Sequence, residues 1–248
     1  MSELKKNSLP LIQTKDGSYT LHHHDLNEHY HSIHGALTES LHIFLSNGLD
    51  YVFASNKKKT LYVFEMGFGT GLNACLAYLW ACYFKQPIQY ISIEKYPISP
   101  SISLAYLQCF SNKNFHTSYY PLSFFTLFKQ YFSTLHHCSL NKYYQLHPHF
   151  HFQKLQADLT TLSLSNLQTH LNNPIDLIFY DAFSPNKQPE LWTQNIFSTL
   201  YDLLNKNGVL VTYCAQSKVK KTLKHCGFSV QALQGPPGKR EITRAIKL

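Results

Sequence analysis

"LYVFEMGFGTGLNACLAYLWACYF", residues 61–84, holds a complete strand–turn–helix unit. Its first six residues are apolar, β-branched or aromatic apart from Glu65, which is the composition of a buried strand. Glycines follow at 67, 69 and 71. The run from Leu72 to Phe84 is nearly all apolar, too short to span a bilayer, and reads as a buried helix. Glycines between a strand and a helix let the backbone turn tightly and approach a ligand at the helix N-terminus.

The same alternation runs outward from this unit. Strands are predicted over 61–66, 88–94, 150–156, 175–181, 209–214, 228–233 and 240–248. Helices are predicted over 72–84, 101–110, 160–171, 190–204 and 218–226. Strand–helix alternation implies a mostly parallel sheet with helices on both faces. The last two strands are joined only by "QGPPGK", 234–239, too short for a crossover, so they must be antiparallel neighbours. The expected fold is α/β and Rossmann-like: seven strands, the final one reversed, over residues 56–248. Residues 1–55 read as an extension containing a hairpin and a helix, and about 111–149 as an insertion rich in Tyr, Phe and His.

Composition bounds the class. With 44% hydrophobic residues the 248-residue chain can bury one large core, and it shows no repeat or low-complexity tract. The first twenty residues contain no apolar signal region, and the six cysteines (75, 82, 109, 138, 214, 226) form no CxxC pair. A soluble cytoplasmic protein with reduced cysteines and no membrane contact is expected. His22–His24, His29, His31 and His34 match no tight ligand spacing, so no metal is expected. Net charge is +8, and between Lys218 and Leu248 eight Lys or Arg face one acid, Glu241. That clustering suits either a polyanionic partner or a solvated helix face. The sequence fixes no oligomeric state; a monomer is the simpler expectation.

The glycine loop departs from G-x-G-x-x-G, because Leu72 stands at the sixth position, and it lacks the GKS/T of a phosphate loop. An acid two residues before the first glycine, Glu65, suits a cationic ligand better than pyrophosphate. S-adenosylmethionine, with an ammonium and a sulfonium and no phosphate, fits. Glu94 ends the second strand and can accept both hydroxyls of a ribose. Asp158, after the third, can accept from an adenine amino group or cap the following helix. In "LIFYDAFSPNKQPELW", 177–192, a buried strand ends by presenting Asp181. Strand ends of open α/β sheets are where ligands bind.

The stretches "DGSYTL", "EHYHSIHGALTES", "FEMGFGTGLN", "YDAFSPNKQPELWT", "VTYCAQSKVKKTLKHCGF" and "GPPGKREITRA" together resemble the class I methyltransferases that finish 5-methylaminomethyl-2-thiouridine in tRNA. The resemblance covers almost the whole chain and departs at Ser217, where glycine is expected. It implies methyl transfer from S-adenosylmethionine to the 5-aminomethyl group of a wobble uridine in a tRNA anticodon loop. Cofactor contacts are then assigned to Glu65, Gly67, Phe68, Gly69, Thr70, Gly71, Asn73, Glu94, Asp158, Leu159, Asp181 and Ala182. Asp181 is the catalytic candidate, facing the sulfonium and the incoming amine. Substrate candidates are Tyr30 and His31, Phe183 or Trp192 to stack the base, and Lys187, Lys239 and Arg240 for phosphates. No FAD is expected, and any oxidation that precedes methylation would fall to a separate FAD-dependent oxidase. Two rivals stand beside this reading. A polyamine aminopropyltransferase has a similar fold, but it wants an acid in the glycine loop where Thr70 stands. A tRNA-binding module without cofactor would not need the intact glycine loop or the acids at the strand ends.

Overall fold

The computed structural model describes residues 9–55, 58–110, 115, 117–171 and 173–248. Strands β1 (Leu11–Gln13), β2 (Tyr19–His23) and β3 (Glu28–His29) form a small antiparallel sheet of three strands where a hairpin was expected. A continuous helical segment follows: α1 (Ala36–Ser40), a π-helical stretch (Leu41–Asp50) and α2 (Tyr51–Ser55). Asp16 ties the two parts together, accepting from the Ser18 amide at 3.0 Å and the Thr38 amide at 2.9 Å.

The main sheet contains β4 (Leu61–Met66), β5 (Ile88–Glu94), β6 (Tyr143–His147), β7 (Phe150–Gln156), β8 (Ile175–Tyr180), β9 (Leu204–Thr212), β10 (Phe228–Gln234) and β11 (Glu241–Lys247). Its order is β10-β11-β9-β8-β4-β5-β7-β6. β4, β5, β7, β8 and β9 run parallel, and β11 is antiparallel to both β9 and β10, as the short 234–239 connection requires. The sheet has eight strands, which corrects the expected seven. The additional strand, β6, comes from the insertion and pairs antiparallel with the edge of β7. It is half exposed, so it carries no apolar alternation to betray it.

The helices are α3 (Leu72–Tyr83), α4 (Pro100–Cys109), α5 (Phe128–His137), α6 (Leu164–His170), α7 (Gln194–Leu203) and α8 (Ser217–His225). Strand side chains alternate between faces, and each face has its own core. Tyr90, Phe152 and Phe179 pack with the N-terminal helical segment, α3 and α5. Phe64, Ile178 and Tyr180 pack with α7 and α8. Strand order reverses between β4 and β8: β5 and β7 lie on one side, β9 on the other. Such a switch point opens a crevice at the strand C-termini, and the glycine loop leaves β4 there.

Candidate active site

A cavity of about 880 Å³ lies over this switch point. Its walls come from the ends of β4, β5, β7 and β8, and from the N-terminal segment that carries β2 and β3. The loop after β4 is fixed by close contacts within the chain. A Cβ on Gly67, where φ is +90°, would lie 2.8 Å from the Asp181 carbonyl oxygen. A Cβ on Gly71, where φ is +81°, would meet Phe68 at 2.8 Å and His136 at 2.9 Å. Chain packing as well as ligand approach therefore demands glycine here.

The loop amides are already used. Gly67 and Phe68 donate to the Ile93 carbonyl at 3.0 and 3.2 Å, Gly69 to Glu94 Oε2 at 3.0 Å, Gly71 to the Phe68 carbonyl at 2.7 Å, and Leu72 to Thr70 Oγ1 at 3.3 Å. A phosphate-binding turn needs such amides free. This one does not fit a pyrophosphate.

The cavity lining is acidic: Asp25, Glu28, Glu39, Glu94, Asp158, Asp181 and Glu190 against only two lysines, Lys95 and Lys239. Within a chain of net charge +8, that local excess selects cations. Lys239 is moreover neutralised, its Nζ lying 2.6 Å from Glu39 Oε1 and 4.1 Å above the Tyr213 ring. Lys95 pairs with Asp158 at 2.8 Å. A ligand carrying a sulfonium and an ammonium and lacking phosphate fits this set of groups, and S-adenosylmethionine meets that description. Glu94 accepts from Gly69 through Oε2 and from the Tyr96 amide through Oε1 at 2.8 Å, so both oxygens are held in place with lone pairs to spare. Asp158 also accepts from Thr160 at 2.7 and 2.9 Å, closing its own turn while it lines the wall.

Asp181 follows β8 directly, and its amide donates to the Met66 carbonyl at 3.1 Å. Its side chain lines the cavity. Burial, with Glu39 as a second cause, pushes its pKa up to about 7 against the opposing pull of Asn73 and Lys239. Asn73 Nδ2 donates to Oδ2 of this carboxylate at 2.7 Å. Such a carboxyl can exchange a proton near neutral pH.

Several residues stand elsewhere than expected. Glu65 does not line the cavity: it is wholly buried one residue before the strand end, beside Ser92 in β5. Strand alternation explains this, because Met66 takes the cavity side. Burial raises the Glu65 pKa well above the carboxylate range, with Ser92 and Tyr90 pulling it down and Asp181 and Glu94 pushing it up. Asn73 touches Asp181 instead of the cavity. Thr70 and Gly71 lie beneath the loop surface. Trp192 is buried against Tyr180, and its Nε1 donates to the Phe183 carbonyl at 2.8 Å, so it supports the loop and presents no face to a base. Lys187 and Arg240 are exposed outside the cavity, and Lys239 belongs to its wall as half of an ion pair.

Gly67, Phe68, Gly69, Glu94, Asp158, Leu159, Asp181, Ala182, Tyr30, His31 and Phe183 do line the cavity. Tyr30 and His23 frame Phe183 at ring distances of 5.1 and 5.5 Å, giving one wall an aromatic lip. Glu28, Glu39 and Tyr213 were missed by the sequence reading. Glu28 accepts from the Ser184 hydroxyl at 2.9 Å and its amide at 3.2 Å, docking the N-terminal sheet on the loop after β8. Glu39 carried no local signal: it stands in the short helix ALTES, where polar residues outnumber apolar ones, and only the structure shows it buried. Among the described residues no cluster of His, Cys, Asp or Glu is arranged to hold a metal, and no helix is long and apolar enough to cross a membrane.

Residues 127–248 match a family model described as S-adenosyl-L-methionine-dependent methyltransferase. The chain is 28% identical over 226 residues to the tRNA 5-methylaminomethyl-2-thiouridine biosynthesis bifunctional protein MnmC of Marinomonas sp. (strain MWYL1), covering 90% of this chain and 32% of that protein. It is 27% identical over 221 residues to the protein of the same name from Burkholderia thailandensis, covering 85% of this chain and 31% of that one. The chain thus spans about a third of the length of these relatives. Among solved structures, MnmC2 from Aquifex aeolicus superposes with a TM-score of 0.72 at 26% identity, covering 96% of this chain and 70% of that one.

Proposed function

We propose that the chain is a class I S-adenosyl-L-methionine-dependent methyltransferase that methylates the 5-aminomethyl group of a wobble uridine in tRNA, a reading supported by the family model matched over residues 127–248 and by the similarity to MnmC. The observation that carries this reading is the acid-lined cavity with Asp181 at its floor, in a chain that is basic elsewhere. The lining suits a cationic donor and an amine acceptor, and the basic exterior suits a polyanion.

S-adenosylmethionine supplies an activated methyl on sulfur and leaves as the neutral thioether. The chain's part is to hold the acceptor and move its proton. Glu94 would hold the ribose hydroxyls of the cofactor, and Asp158 its adenine amino group. Tyr30, His23 and Phe183 grip the unstacked uracil, since a base acted on in a tRNA loop must leave its stack. A primary alkylamine is mostly protonated near pH 7, so it must first shed a proton to become nucleophilic. Asp181 accepts from the amine, and its raised pKa suits that exchange better than an ordinary carboxylate. As the new N–C bond forms the nitrogen becomes an ammonium, and it passes one further proton to Asp181 and on to solvent. Positioning and exclusion of water provide most of the acceleration.

The α8 lysines 218, 221 and 224 are exposed and share one helix face, and Arg240 is exposed as well. They are the phosphate contacts of this reading. Incubating the protein with labelled S-adenosylmethionine and tRNA carrying 5-aminomethyl-2-thiouridine, followed by nucleoside analysis, tests the proposal. Label recovered in the wobble nucleoside supports it; no transfer overturns it.

A further inference from the structure

The insertion between β5 and β7 reaches back to the glycine loop, and its contact there is specific. His136, in the last turn of α5, places Nε2 2.9 Å from the Thr70 carbonyl oxygen. A carbonyl only accepts, so the ring donates and carries its proton on Nε2. The ring also packs against Phe68 and Phe132, at 5.3 and 4.5 Å between centroids. His31, in the N-terminal segment, reaches the same residue: its Nε2 lies 2.8 Å from Thr70 Oγ1. Thr70 is fully buried, and its hydroxyl also accepts from the Leu72 amide that opens α3. Beneath Phe68, the Lys154 ammonium lies 4.7 Å from the ring centroid and donates to the Leu135 carbonyl at 3.3 Å, one residue before His136. Burial holds both imidazoles neutral, each with its pKa lowered to about 4.

We propose that His136 and His31 are positioning residues that clamp the cofactor loop through Thr70, so that the insertion and the N-terminal segment set the loop's geometry before any ligand arrives. His136 lies outside the cavity lining, and His31 belongs to its wall. One holds the carbonyl and the other the hydroxyl of a single residue, in a loop whose glycines would otherwise allow many conformations. The inference rests on the methyltransferase reading only for its second readout.

The test compares His136→Phe, which keeps the ring packing and loses the donor, with His136→Gln, which keeps an amide donor. Hydrogen exchange of the peptide covering 66–73 is read without cofactor, and S-adenosylmethionine affinity and turnover are read separately. One neutral hydrogen bond corresponds to about a three- to tenfold effect. The Phe variant should therefore exchange faster in that peptide alone and bind cofactor about three- to tenfold more weakly. Its turnover at saturating cofactor should stay within about twofold of wild type, with the Gln variant close to wild type throughout. If the wild type fails to bind the cofactor, the methyltransferase reading falls while the exchange data still judge the clamp. Unchanged exchange at 66–73 in the Phe variant would overturn the clamp, as would equal loosening of the whole sheet in both variants. Should the Phe variant not fold, Thr70→Val, which removes the hydroxyl shared by His31 and the Leu72 amide, tests the His31 side of the clamp, and unchanged exchange at 66–73 there would overturn it.

Discussion

In the proposed reading Asp181 carries most of the chemistry, and its ionisation is measurable in two ways. Replacing it with Asn keeps the shape and an acceptor for Asn73 but removes the proton acceptor. Turnover on tRNA should fall about 10²-fold or more, while cofactor affinity changes far less. The same substitution tests the raised pKa through stability. Below about pH 4 the carboxyl is protonated in both native and unfolded chains and makes no difference between them. Between about 4 and 7 only the native state keeps the proton, so stability falls as pH rises through that window and the deficit is complete above it. At about 1.4 kcal/mol per pKa unit, Asp181→Asn should gain up to about 4 kcal/mol over wild type on going from pH 4 to pH 8. Parallel unfolding curves at the two pH values would contradict the shift. Glu94→Ala, removing a charged acceptor, should weaken S-adenosylmethionine binding about tenfold or more; unchanged affinity in a folded variant would remove Glu94 from the cofactor site.

Among elements, the joint between α1 and the turn before β11 is held by the ion pair of Glu39 and Lys239. Lys239→Ala leaves a carboxylate that is 8% exposed without its partner. Removing one member of a buried pair costs about 3–5 kcal/mol; since Lys239 is itself 26% exposed, a loss of about 2 kcal/mol in thermal or denaturant unfolding is expected, and Glu39→Gln in the same background should restore part of it. This pair also shows where sequence reading stops. Strands β4, β5 and β7 and helices α3 and α8 were legible to within a residue or two, because apolar runs and glycine punctuation are local signals. Lys239 read as a free phosphate contact because its partner stands two hundred residues earlier in the chain. Glu65 was misplaced for another reason. A central strand buried on both faces shows no polar alternation, so nothing local says which side an acid takes. Edge strand β6, half exposed and continuous with a loop, gave no pattern either.

The whole molecule joins an acidic cavity to a basic exterior. Under the proposed function that division would assign tRNA affinity to the surface and chemistry to the crevice. Replacing Lys218, Lys221 and Lys224 together by Ala should reduce the slope of log affinity against log salt by about 2, at about 0.7 per phosphate contact on single strands. Turnover at saturating tRNA should be nearly unchanged, and an intact slope would place the tRNA on another face. The acid lining also makes a claim about the acceptor, since an amine that carries its own carboxylate meets seven acids on entering. The most direct test therefore offers the purified protein S-adenosylmethionine with two tRNAs in parallel, one bearing the bare 5-aminomethyl wobble uridine and one its carboxymethylated form, and analyses the digested nucleosides by mass spectrometry. The account predicts the gain of a single methyl on the aminomethyl nucleoside alone, with the carboxymethylated form untouched. Methyl transfer to neither tRNA, or equal conversion of both, would contradict it.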